Sequence, residues 1–188
     1  MLELLVVLVV LIALAGIVVP LLTGVSESSR DQATRESLRQ LQQLLLDRYR
    51  FDMQGVGAST DAIVKRGFPG PDTSHLAPPS RQDRPQLLFL FVNPVTGLSE
   101  ATFDPVTKRG WRGPYLPRGR FGTYPGLTPA TAAARGFDSR FGEPGDETVL
   151  DAWGNPIVIL SGATSPELVS AGPDGSLNVL PNITVPLQ

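Results

Sequence analysis

The chain has 188 residues, enough for one domain with a substantial core and too few for two ordinary domains. A formal net charge of −2 argues against a nucleic-acid partner, since nucleic-acid binders usually carry a concentrated basic face. The absence of cysteine excludes disulfides, thiolate chemistry and Cys-ligated zinc. The 19 glycines and 18 prolines predict many turns and long loops after the first helix.

A long apolar run opens the chain. Residues 4–25 carry no charge, and a membrane-spanning helix needs about 20 apolar residues. A secretory signal peptide is the alternative interpretation, but its apolar core is usually about 7–15 residues long and follows basic residues. This run is longer and has no basic start, so residues 1–25 are predicted to form a transmembrane helix.

Glu3 directly precedes this run, and Pro20 lies within it. A carboxylate beside an apolar helix is costly to bury unless it is paired. With the polar helix that follows, these features resemble the N-terminal region of type IV pilins and type II secretion pseudopilins, including the spacing from Glu to Pro. The family's basic leader and cleavage-site Gly do not precede Glu3, so we expect the natural chain to begin further upstream.

The resemblance implies that the apolar helix polymerises into a filament. Glu3 would pair with the N-terminal ammonium of a neighbouring subunit and set the axial register, and Pro20 would let the helix bend during assembly. Without polymerisation, Glu3 would lie at the lipid headgroups and Pro20 would be a tolerated kink in a membrane helix. The implied partners are further copies of the chain, other pseudopilins, the inner-membrane assembly platform, prepilin peptidase and the lipid bilayer.

Residues 26–55 predict an amphipathic helix that continues the apolar one. Apolar residues recur at three- and four-residue steps and give one stripe, at Ala33, Leu38, Leu41, Leu45 and Tyr49. The face predicted to meet water carries Arg35, Arg39, Gln43 and Asp47. A coiled coil is the alternative, but the stripe lasts too few heptads. Gly55 and Gly57 mark the expected end of the helix.

The end of this helix, LLLDRYRFDMQG, resembles the corresponding segment of major pseudopilins at Tyr49, Arg50, Asp52 and Gly55. Residues 56–86 then form a polar, Pro-rich connection. It contains His75, the single histidine, which makes a poor metal site without a second ligand nearby. The compact apolar run Leu87–Val92 predicts a buried strand or a short core segment.

Two segments of the predicted head resemble major pseudopilins most closely. KRGWRGPYLPRG matches the family's W-x-GPYL segment at Trp111, Gly113, Pro114, Tyr115 and Leu116. LDAWGNPIVILSG matches its DPWGNP segment at Asp151, Trp153, Gly154, Asn155 and Pro156. These residues predict structure and not chemistry: a turn with a packed Trp, leading into the strand IVIL. A carbohydrate-binding surface at the Trp and Tyr residues is the alternative.

Between these segments, residues 117–149 show little periodicity and predict an extended surface loop. After them, Leu168, Val169 and Ser170 predict a strand followed by a Gly-Pro-Asp-Gly turn. The turn resembles the pseudopilin loop that helps to bind calcium, which would place Asp174 on Ca2+. The family's further acidic residues are missing here, and Ca2+ usually takes 6–8 oxygen ligands with several carboxylates. A plain tight turn is therefore the alternative that the residues favour.

The predicted fold class is α+β, a type IV pilin fold in which a long N-terminal helix packs on a small antiparallel sheet. The predicted organisation is a polymerisation helix over 1–25, an amphipathic helix over 26–55 and a β-rich head over 56–188. The resemblance implies a structural subunit of a type II secretion pseudopilus or a related pilus, and no enzyme. It also implies a single-pass protein of the inner membrane with a periplasmic head. The alternative is a membrane-anchored binding domain that does not polymerise.

Overall fold

The computed structural model shows an α+β architecture: a long helix, a short second helix and a small antiparallel sheet. It describes residues 26–54, 67–69, 87–92, 103–137, 141–142, 144–162 and 164–188. The predicted α+β class is confirmed. Glu3, Pro20 and His75 lie outside the described residues.

The long helix, α1, covers residues 26–53 of the described chain. It is α-helical up to residue 44, π-helical over Leu45–Tyr49 and α-helical again over Arg50–Met53. The backbone leaves helical geometry at Gln54, whose ψ of 119° is extended. The helix therefore ends just before the predicted Gly55.

One face of α1 is buried against the rest of the molecule. Its buried residues are Thr34, Leu38, Leu41, Leu45, Tyr49, Asp52 and Met53. The predicted stripe is confirmed from Leu38 to Tyr49, but Ala33 is exposed and Thr34 takes the buried position. Thr34 lies four residues before Leu38 and so shares its face, whereas Ala33 points about one-quarter turn away. The four polar residues predicted for the opposite face are exposed.

Three antiparallel strands form one sheet in the order β1-β2-β3. They are β1 (Val158–Ser161), β2 (Pro166–Ser170) and β3 (Ile183–Pro186). Ile159 pairs with Leu168, and Leu168 pairs with Val185. The strands predicted after Pro156 and around Leu168 are therefore confirmed.

Both faces of this sheet are covered by apolar side chains. Ile159 and Leu168 belong to the cluster that contains the buried stripe of α1. Val158 and Val169, which point to the opposite face, belong to a second cluster with Tyr124, Phe137 and Phe141. Neighbouring residues of a strand alternate between the two faces of the sheet. Since both faces are buried, consecutive positions of β1 are apolar, as in Val158, Ile159 and Leu160.

The second cluster corrects the prediction of a surface loop over residues 117–149. A short helix, α2 (Pro129–Ala134), begins at Thr128, whose hydroxyl accepts the Thr131 N–H at 3.2 Å. Phe137 is 1% exposed and packs on the sheet. The prediction was wrong because the aromatic residues are spaced irregularly, so neither a helical nor a strand period reveals their shared face.

The run Leu87–Val92 was predicted as a strand or a short core segment. Its first four residues, Leu87–Leu90, form a 3-10 helix, so the strand interpretation is wrong. Leu87, Phe89, Leu90 and Phe91 are buried in the cluster of α1, so the core-segment interpretation is confirmed.

Truncating Phe137 tests whether residues 117–149 contribute to the core. Phe137→Ala should lower the free energy of unfolding by about 3–5 kcal/mol, because it removes a buried ring and leaves a cavity. The control is Val106→Ala, since Val106 is 87% exposed and should change stability by less than about 0.5 kcal/mol. Thermal unfolding of the full chain in detergent measures both. Equal, small effects would show that this segment is dispensable for the core.

Candidate functional site

The segment around Trp111 wraps the C-terminal end of α1. The Tyr115 and Leu116 N–H groups both donate to the Leu90 carbonyl, at 2.8 and 3.1 Å. The Trp111 indole N–H donates to the Phe89 carbonyl at 3.0 Å. The 3-10 turn Leu87–Leu90 thus supplies the backbone acceptors that orient this segment.

Asp52 is the polar centre of this contact, although it is 3% exposed. Its Oδ1 accepts the Arg112 Nε–H at 2.9 Å and forms an ion pair with the same guanidinium. Its Oδ2 accepts the Tyr115 hydroxyl at 2.9 Å. We call these three residues the Asp52 cluster. A buried carboxylate needs such partners because an unpaired charge in an apolar site is strongly unfavourable.

Hydrogen bonding to Asp52 and burial act on the pKa values of the two donors in the Asp52 cluster. The hydrogen bond to Asp52 is the main cause that raises the pKa of Arg112. Burial is the main cause that raises the pKa of Tyr115. Arg112 therefore stays charged and Tyr115 stays a neutral donor.

Aromatic rings complete this contact. The Tyr115 ring lies 5.2 Å from the Tyr49 ring and 6.0 Å from the Trp111 ring, the latter edge-to-face at 87°. A Cβ at Gly113 would come within 2.6 Å of Trp111 and 2.9 Å of Tyr115. Glycine is therefore required where the two rings close over the backbone. Pro114 follows on the exposed side.

The second segment folds into a turn around Asp151, which is 6% exposed. The Trp153 and Asn155 N–H groups donate to Asp151 Oδ1, at 2.9 and 2.8 Å. Gly154 has φ = 84°, which glycine adopts without strain, and its N–H donates to the Asp151 carbonyl at 3.0 Å. The predicted Trp-Gly-Asn-Pro turn is confirmed, and Pro156, which closes it, is fully buried.

This turn, residues 151–155, bridges α1 and the sheet. The Ala152 N–H donates to the Thr34 hydroxyl of α1 at 3.1 Å. The Ser170 hydroxyl, at the end of β2, donates to Asp151 Oδ2 at 2.7 Å. Trp153 is partly buried against the cluster of α1. Asp151 thus acts as an acceptor for several backbone and side-chain donors, which is a structural task.

Asp174 was predicted either as a calcium ligand or as part of a plain turn. Residues Gly172–Asp174 form a 3-10 turn, and Asp174 Oδ1 accepts the Ser176 N–H at 3.0 Å. In the described part of the chain, no group of three or more His, Cys, Asp or Glu side chains could hold a metal ion. The residues present do not fit calcium, which prefers several carboxylate oxygens.

Two contacts of this site were missed by sequence reasoning. Thr34 lies between the charged residues Asp31 and Arg35 in the sequence. Its hydroxyl accepts a hydrogen bond from the Ala152 N–H, 118 positions away. Arg135 lies in the segment predicted as a surface loop, and its Nη2 donates to Asn155 Oδ1 of the 151–155 turn at 2.9 Å. The predicted head residues Tyr49, Trp111, Tyr115, Asp151 and Asn155 all contribute to the two contacts on α1 or the sheet.

The surface beside the Asp52 cluster has an open cleft of about 350 Å³. Its lining residues are Asp47, Arg48, Phe51, Asp52, Arg112, Pro114 and Tyr115. Both oxygens of Asp52 already accept hydrogen bonds from within the protein. The arrangement therefore fits an anchor between helix and head better than a site for acid–base chemistry.

Neutralising Asp52 tests the anchor. Asp52→Asn should lower the free energy of unfolding by about 1–3 kcal/mol, because it removes a charged acceptor from Arg112 and Tyr115. Asp47→Asn is the matched control: Asp47 is an exposed carboxylate of the same helix, and its loss should cost less than about 0.5 kcal/mol. Thermal unfolding of the full chain in detergent distinguishes the two. Equal losses would contradict a special role for Asp52.

Among the residues described, no helix combines the length and apolarity needed to cross a membrane. Comparison of the chain with protein-family models, curated proteins and solved structures finds no match in any of the three. The functional assignment therefore depends on the motif residues and the contacts described above.

Proposed function

We propose that this chain is a structural subunit of a type IV pilin-like filament, either a type II secretion pseudopilus or a related pilus. In this proposal the α+β head has the type IV pilin fold, and the apolar run 4–25 forms the shaft. The observation that supports it most is that both head segments resembling pseudopilins bond to the same helix. Asp52 binds Arg112 and Tyr115, and Thr34 binds Ala152.

A filament subunit needs a head that is fixed to its polymerising helix, because force and register pass from one to the other. The Thr34 and Asp52 contacts lie 18 positions apart on α1, which is about 27 Å along an ideal helix. Two anchors at that separation resist both tilting and rotation of the head.

The assembly step follows from the cost of an unpaired charge. When apolar helices leave the bilayer and pack together, Glu3 needs a partner, and the N-terminal ammonium of a neighbouring subunit supplies one. Stranding such a buried charge costs about 3–5 kcal/mol, so the pair favours one axial register. Pro20 removes one backbone donor and lets the helix bend locally as the subunit moves into the filament.

The proposal places the protein in the inner membrane as a single-pass subunit with a periplasmic head, and in the filament after assembly. Its partners are further copies of itself, other pseudopilins, the assembly platform, the lipid bilayer and prepilin peptidase acting on the precursor. No catalytic role is proposed, because the buried carboxylates Asp52 and Asp151 are engaged as structural acceptors.

Removing the Glu3 carboxylate tests polymerisation. Glu3→Ala should leave membrane insertion intact but sharply reduce filaments, because the register-setting pair is lost. Glu36→Ala is the matched control, since Glu36 is exposed on the polar face of α1. Filament yield is measured by electron microscopy of shear fractions from cells that express the natural precursor, read from its upstream start, with a type II secretion assembly system. A normal yield from Glu3→Ala would contradict the register role.

Processing of the natural precursor gives an independent test. The native gene, read from its upstream start, should yield a protein that prepilin peptidase cleaves after a Gly a few residues before Glu3. Mass spectrometry should then find a methylated N-terminus. An intact N-terminus, or cleavage after residue 25, would instead support the anchored or secreted domain that does not polymerise.

A further inference from the structure

Arg135, the residue that follows α2, reaches into the turn formed by residues 172–175. Its Nε–H donates to the Gly175 carbonyl at 2.6 Å, and its Nη2 donates to Asn155 Oδ1 at 2.9 Å. The guanidinium carbon also lies 5.9 Å from the centre of the Phe137 ring. A permanent cation is therefore held among oxygens from two separate loops.

The backbone at the end of α2 holds the next residues of the same loop. The Leu177 N–H donates to the Arg135 carbonyl at 2.8 Å. The Asn178 side-chain amide donates to the Ala134 carbonyl at 3.1 Å. The Arg135 guanidinium and the carbonyls of Ala134 and Arg135 thus bind residues 175–178 at three successive points.

Asn155 connects this cation to a buried carboxylate. Its Oδ1 accepts from Arg135, while its Nδ2 donates to the Gly172 carbonyl at 3.0 Å and to Asp151 Oδ2 at 3.4 Å. The amide dipole therefore points its oxygen to the cation and its nitrogen to the anion. This orientation stabilises Asp151 and Arg135 together.

We propose that the Arg135 guanidinium is the structural cation of the 172–178 loop, so that the head holds this loop without a divalent metal. A guanidinium presents five donors in one plane and loses no proton in proteins, so it suits carbonyl and amide oxygens. Asp174, the carboxylate that the resemblance assigned to calcium, is already an acceptor for Ser176. The proposal concerns the head alone and stands whether or not the chain polymerises.

Gly175 makes the close approach of the guanidinium feasible. It has φ = 64°, in the left-handed region, and a Cβ at this position would overlap the Arg135 Nη2 atom. Any side chain here would push the guanidinium out of the turn. The last glycine of the Gly-Pro-Asp-Gly turn thus leaves room for the Arg135 guanidinium.

The response of the native full chain to calcium is the first test. Protein in detergent is stripped with EDTA and compared with the same protein in millimolar CaCl2. The thermal midpoint should be the same in both, and hydrogen exchange of the 172–178 amides should be equally slow. A higher midpoint, or slower exchange of this loop with CaCl2, would overturn the proposal.

Variants at Arg135 form the second test. In Arg135→Ala, amide exchange over residues 172–178 should be about tenfold faster, as expected for losing hydrogen bonds to a charged donor. Arg120→Ala, a change at an exposed arginine, should leave exchange unchanged. Arg135→Lys keeps the charge but not the two-donor geometry, so amide exchange over residues 172–178 should be faster than in the unchanged protein and slower than in Arg135→Ala. If Arg135→Ala does not fold, the comparison of Arg135→Lys with the unchanged protein still tests the proposal. Unchanged exchange in the Arg135 variants would contradict the proposal.

Discussion

The head depends on the burial of one face of α1. At the C-terminal end of α1 this burial includes the carboxylate of Asp52. The apolar stripe from Leu38 to Tyr49 forms the floor on which the sheet and the Leu87–Leu90 turn pack. Asp52 continues that stripe but cannot be buried alone, so the Trp111 segment must bring Arg112 and Tyr115 to it. The need of the buried Asp52 carboxylate for hydrogen-bond donors therefore determines where the Trp111 segment packs.

The described part of the head has three short strands, and polar anchors in loops connect them to the rest of the molecule. Asp151 receives two backbone N–H groups of its own turn and the hydroxyl of Ser170, and so fixes that turn to the end of β2. Asn155 extends the network to Arg135 and to the 172–175 turn. Such networks define one arrangement because a partly satisfied buried polar group is strongly penalised. These hydrogen bonds therefore hold the 151–155 turn, the 172–175 turn and the end of β2 together.

These polar contacts also connect the proposed filament function with the proposed role of Arg135 as the structural cation of the 172–178 loop. The Thr34 and Asp52 contacts join the head to the helix, while Arg135 holds the 172–175 turn through the Gly175 carbonyl. Leu168 of β2 belongs to the apolar cluster of α1, whereas Val169 belongs to the cluster of Phe137, whose ring lies 5.9 Å from the Arg135 guanidinium carbon. Asn155 connects these contacts, since it accepts from Arg135 and lies in the 151–155 turn, whose Ala152 N–H donates to Thr34.

The sequence by itself determined the elements that depend on local pattern. The stripe of α1, the turn at Trp153-Gly154-Asn155 and the strand at Leu168 follow from periodicity and turn chemistry, and the structure has them. The type of the Leu87–Leu90 segment and the burial of Phe137 were decided by tertiary structure, because short or irregular apolar segments carry no period that separates strand, turn and loop. Thr34, Arg112 and Arg135 likewise acquire their roles from partners distant in sequence, and only the fold brings those partners within hydrogen-bonding distance.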